Sequence, residues 1–139
     1  MTYTYSICHP DKPKIEYPKN SLSDTEVIKM ITNYPWLEIL TQMKSLTQNQ
    51  IYYSPSLDFK STTSKQSLCI TASLENDVPE FSLWYNRPIK YRPLFGLLSE
   101  KTKVEVIDKW GFSLEDALKI YQLFLNKNYS ILEQLMAKK

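Results

Sequence analysis

Glycine is nearly absent from this chain, with two residues, Gly96 and Gly111, among 139. Loops that cradle phosphate need glycines so that backbone amides can approach the anion, which excludes a P-loop and a dinucleotide-binding turn. The Gly-x-Ser-x-Gly elbow of serine hydrolases is missing as well. Histidine occurs once, as His9 between Cys8 and Pro10. Neighbouring residues on a strand point to opposite faces, so Cys8 and His9 are badly placed to exchange a proton. The two cysteines, Cys8 and Cys69, are too few for a disulfide framework and read as reduced thiols. With a single imidazole they do not supply the three or four ligands that zinc takes. The segment Glu75-Asn76-Asp77 lacks the glycine and closing glutamate of a calcium loop. No catalytic motif is found, and neither a metal nor a cofactor is expected.

Long apolar runs are missing too. No stretch approaches the roughly 18 continuous apolar residues of a membrane span. The opening Met1-Thr2-Tyr3-Thr4 has neither the basic start nor the apolar run of a secretory signal. Charge of one sign is also scarce: the net charge is +2, with acids and bases interleaved, as in Lys103-Val104-Glu105. This balance does not favour nucleic acid or an acidic membrane as partner. A cytoplasmic location is expected.

What the chain does hold is apolar surface, 42% hydrophobic residues and 13% aromatics, enough for one domain with its own core. Residues 1–139 read as a single α+β domain, of which 1–20 are a strand and a Pro-rich tether. Tyr3, Tyr5 and Ile7 alternate with Thr4 and Ser6, which predicts a strand. Pro10, Pro13 and Pro18 keep the following segment extended and irregular. Ser23-Asp24-Thr25-Glu26 is a capping box, followed by Val27, Met30, Ile31 and Tyr34 at helical spacing. Pro35 divides this helix from a second carrying Trp36, Leu37, Leu40 and Met43.

From Gln50 to Trp110 the period becomes two. Strands are expected at Ile51–Ser54 continuing into Leu57–Lys60, then around Leu68–Leu74, Phe81–Asn86 and Lys103–Val106, with a turn at Glu75–Pro79. Ser113 caps a third helix, Asn126-Lys127-Asn128 breaks it, and Ser130–Met136 form a fourth. The order is roughly β-α-α-β-β-β-β-α-α, an antiparallel meander with helices packed on one face.

Both arginines fall in Trp84-Tyr85-Asn86-Arg87-Pro88-Ile89-Lys90-Tyr91-Arg92-Pro93. Guanidinium groups give planar, bidentate donors, and Trp, Tyr and Arg dominate interface hot spots. The two Arg-Pro steps hold this segment extended. Trp84, Tyr85, Arg87, Lys90, Tyr91, Arg92 and the apolar Phe95 are therefore the candidate binding residues. The structural reading of the same residues is a strand whose arginines pair with surface carboxylates such as Glu80 or Glu100. The functional expectation is a small non-enzymatic interaction protein, of the kind exemplified by a toxin-neutralising immunity protein. It would bind a partner with an acidic surface through this sheet-edge segment, as a monomer or weak homodimer. The alternative is a small-ligand domain with a tyrosine-lined pocket between sheet and helices.

Overall fold

A computed structural model describes residues 2–91, 96 and 99–137. Its centre is a six-stranded, wholly antiparallel sheet in the order β2-β1-β3-β4-β5-β6. The strands are β1 (Thr2–Cys8), β2 (Leu22–Ser23), β3 (Ser56–Ser61), β4 (Ser67–Glu75), β5 (Val78–Tyr91) and β6 (Lys101–Phe112). The helices are α1 (Asp24–Asn33), α2 (Trp36–Met43), α3 (Leu114–Leu125) and α4 (Tyr129–Ala137). The fold is α+β, with the element order broadly as the sequence suggests.

Local chemistry explains most boundaries. The Ser23 hydroxyl accepts from the Glu26 amide at 3.3 Å, and the Glu26 carboxylate accepts from the Ser23 amide at 3.0 Å, closing the capping box. Tyr34, before Pro35, is extended, as a pre-proline residue prefers, and α1 stops there. The Ser113 hydroxyl accepts from the Asp116 amide at the start of α3. Asn76 and Asp77 both take positive φ, 52° and 64°, in a two-residue turn whose twist suits the β4–β5 hairpin.

Two strand expectations need correction. Ile51–Ser54 is not a strand: the Tyr52 amide donates to the Pro10 carbonyl, and the Tyr53 hydroxyl to that of Pro13. Those groups hold the tether instead of a ladder. The tether itself is pinned to β1 by reciprocal Ile7–Glu16 amide–carbonyl bonds of 2.9 Å. Conversely, β5 runs past Asn86 and through Pro88 to Tyr91. Its neighbour β4 ends at Ser67, opposite Asn86, so from there one side of β5 is open and a missing N–H can be tolerated.

The inward strand residues, Tyr3, Ile7, Leu57, Phe59, Leu68, Ile70, Ala72, Phe81, Leu83 and Tyr85, are all at most 8% exposed. They form one cluster with the apolar faces of the four helices. Its middle is aromatic: Phe124 meets Tyr3, Tyr85, Tyr121 and Tyr129 at ring-centre distances of 5.8 to 6.4 Å. The buried Tyr121 hydroxyl donates to the Leu68 carbonyl at 2.6 Å. Tyr3, Phe59, Tyr121 and Phe124, fully buried, fill the space between sheet and helices where the small-ligand reading expects a pocket. No helix of the described residues is long and apolar enough to cross a membrane.

Candidate functional site on the uncovered sheet face

Since the helices pack on the face bearing Tyr3, Phe59 and Leu83, the alternate residues of each strand lie on the other face. Strand register aligns them in rows. One row reads Ser6, Asp58, Cys69, Trp84, Asp108. The row beside it contains Cys8, Ser56, Thr71. On the other side lie Thr4, Lys60, Ser67, Asn86, Val106, and then Pro88 opposite Val104.

These rows floor a concavity of about 740 Å³, walled on one side by Tyr53 and Ser54 and on the other by Trp84, Val106 and Asp108. A smaller hollow of about 200 Å³, between Tyr17 and Lys60, shares Asp58 as its boundary. Beside the concavity the β5–β6 hairpin exposes Trp84 (38%), Val104 (64%) and Val106 (52%). Trp110, 71% exposed, adjoins Gly111, whose φ of +87° accompanies a register shift between Phe81 and Leu83.

Asp58 dominates the electrostatics of the floor. Its Oδ1 is inaccessible and has no hydrogen-bond partner among the described residues. Burial pushes the carboxyl above its ordinary pKa of 3.8, with Lys60 opposing part of the shift. Burial also raises the Cys69 thiol to about 12, helped by Asp58, while a hydrogen bond with Thr71 opposes it. The Cys8 thiol is raised by burial and then by Asp58. Neither thiol is poised as a thiolate nucleophile. The Ser56 and Thr71 hydroxyls bond each other at 2.9 Å.

The residues singled out by the arginine cluster do not share one surface. Trp84 and Lys90 lie on the uncovered face, the latter with its ammonium 3.9 Å from Glu100. Tyr85 is fully buried among the core rings and accepts a 2.7 Å hydrogen bond from Gln66; burial first, then Glu133, pushes its pKa up to about 12. Arg87 faces the helices, donating to Glu105 on β6 at 3.2 Å and to Glu133 on α4. Its partners are thus the molecule's own carboxylates, though not the expected Glu80 or Glu100. Tyr91 ends β5 opposite Lys101. Arg92 and Phe95 lie outside the described residues.

Sequence reasoning missed Asp58, Cys69, Thr71, Val106, Asp108 and Trp110. The available signal was the polar half of each alternating run, here Ser56, Asp58 and Lys60, then Cys69 and Thr71. His9 sits away from this face, hydrogen-bonded to Glu16 at 2.7 Å and lining a hollow of about 490 Å³ against Ile39, Met43 and Leu46 of the α2 side. Among the described residues no three His, Cys, Asp or Glu side chains group to hold a metal ion. Compared with protein-family models, curated proteins and solved structures, the chain matches none.

Proposed function

We propose that this chain is a binding protein that docks a second protein on the uncovered face of its sheet, centred on Trp84. The supporting observation is the one-sided architecture. Four helices bury one face, while the other presents Trp84, Val104, Val106 and Trp110 beside a polar concavity. Contiguous apolar surface on rigid strands marks interaction sites, and tryptophan is a preferred anchor. Strand side chains are held in place by the ladder, so little ordering is needed on association.

The anchor is thus the indole of Trp84, and Arg87 acts as a brace between β5, β6 and α4. A stoichiometric inhibitor of the immunity type remains one concrete form of such a protein. Catalysis is not part of the proposal, because the floor's thiols are held protonated and no base is paired with a nucleophile there.

The test is a triple variant, Trp84→Ser with Val106→Thr and Trp110→Ser, expressed in the native host and isolated after mild crosslinking. All three side chains are exposed, so stability should change little, while a saturable, discrete crosslinked complex formed by the wild type should vanish. A complex retained by the folded triple variant would refute docking on this face.

A further inference from the structure

The chemistry of the concavity specifies what should enter it. Among the described residues, the two charged ones that line it, Asp58 and Asp108, are acidic, and no cationic side chain lines it. Lys60, in the neighbouring row, bounds the smaller hollow beyond Asp58. The hydroxyls beside Asp58 are engaged with each other, Ser56 with Thr71, and the Cys69 thiol lies 3.8 Å from the Thr71 hydroxyl. Asp58 lines this concavity, while its Oδ1 is closed to solvent and has no hydrogen-bond partner among the described residues. A carboxylate that lines a partly desolvated concavity is best satisfied by a charged donor.

Trp84 supplies a second recognition element. It stands between Cys69 and Asp108 in the same cross-strand row as Asp58. At the usual strand spacing Asp58 and Asp108 are separated by roughly 14 Å, with the indole between them. Carboxylates flanking an exposed indole suit a cation, which can face the ring and bond an oxygen. A guanidinium does both through its flat face and its forked donors.

We infer that the concavity between Asp58 and Trp84 receives an arginine side chain from a segment of the partner protein. The inference rests on the docking reading of this face and deepens it. It inverts the charge expected of the partner: the site is acidic and aromatic, and the complement is basic. Lys90, a cation of the arginine-bearing segment, lies on this face but is 75% exposed beside Glu100 and is not among the residues lining the concavity.

The experiment is a titration of isotopically labelled protein with the capped peptide Gly-Arg-Arg-Gly, with Gly-Glu-Glu-Gly as control. The indole N–H signals of Trp84 and Trp110 are read together with the backbone signals of Asp58, Thr71 and Asp108. Saturable shifts at Trp84, Asp58 and Thr71 with the arginine peptide alone are expected. Asp58→Asn should weaken that binding about tenfold, as loss of a charge-assisted bond does. The exposed Asp108→Asn serves as a second variant that should fold normally and also weaken binding.

Shifts with the glutamate peptide at these residues, or undiminished arginine binding in Asp58→Asn, would overturn the inference. So would shifts at Trp84 that grow with protein concentration without peptide, which would make the occupant a second copy of the chain. Silence with both peptides would overturn the arginine assignment while leaving the docking reading to be judged by the crosslinked complex. Arginine binding with no crosslinked complex would instead refute the docking reading.

Discussion

Trp84 and Arg87, three residues apart on β5, project to opposite faces of the sheet. Trp84 stands beside Asp108 at the concavity, whereas Arg87 reaches Glu105 and, across the sheet–helix interface, Glu133 of α4. The Arg87 side chain is 29% exposed, so solvent screens part of its attraction. Arg87→Ala should lower stability by about 1 kcal/mol, as for a partly exposed pair, measured by denaturant unfolding. Partner binding should persist. Lost binding at unchanged stability would return the guanidinium to the recognition surface.

Asp58 should act against folding at neutral pH. Burial raises its folded pKa above the ordinary 3.8, so the folded state holds the proton more tightly than the unfolded chain. Stability then falls as pH rises from 3.8 through the raised value, and the penalty stays in full above it. Among its charged and titratable neighbours, Lys60 relieves part of this cost, and the Cys8 and Cys69 thiols are neutral. Asp58→Asn should therefore be more stable than wild type at neutral pH, with the advantage shrinking on acidification. Unfolding midpoints at several pH values test this, and a less stable variant at neutral pH would contradict it. A residue that lowers stability while lining a binding surface fits the trade between stability and function.

Cys69, with its thiol at about 12, and Cys8, also raised, should alkylate slowly in the folded protein at mildly alkaline pH. Both should react quickly once the chain is denatured. Mass spectrometry of iodoacetamide-treated protein reads the difference. Rapid native labelling of Cys69 would show a thiolate where the structure places a thiol.

Gly111 has φ of +87°, and a Cβ added there would come no closer than 3.6 Å to Glu80. Space is not the constraint; backbone handedness is. Gly111→Ala should cost about 1–2 kcal/mol, and Gly111→Asn should cost less, because asparagine tolerates positive φ better. Thermal melts of both variants give the ordering.

Features fixed by neighbours in the chain were legible in the sequence. The capping box at Ser23, the stop at Pro35 and the turn at Asn76-Asp77 each depend on residues within a few positions. Alternation likewise separated Leu68, Ile70 and Ala72 from Cys69 and Thr71. What it could not give was the register between strands. Asp58 and Asp108 share a row because the ladders pair Asp58 with Cys69, Cys69 with Trp84 and Trp84 with Asp108. The described part of the arginine cluster divides for a related reason: closeness in sequence resembles closeness on a surface, yet a period of two sends Trp84 and Arg87 apart. Ile51–Ser54 read as a strand from its composition, but its backbone groups are taken up by the tether, a contact between segments some forty residues apart.

The most direct measurement places a photo-crosslinking side chain at Trp84, Val106 or Trp110, and separately at Lys119 on the exposed surface of α3, in protein expressed in the native host. The expected result is one discrete adduct from the three sheet positions, competed away by unlabelled wild type but not by the triple variant, with none from Lys119. Adducts from Lys119 alone, or equally from all four positions, would contradict docking on the uncovered sheet face.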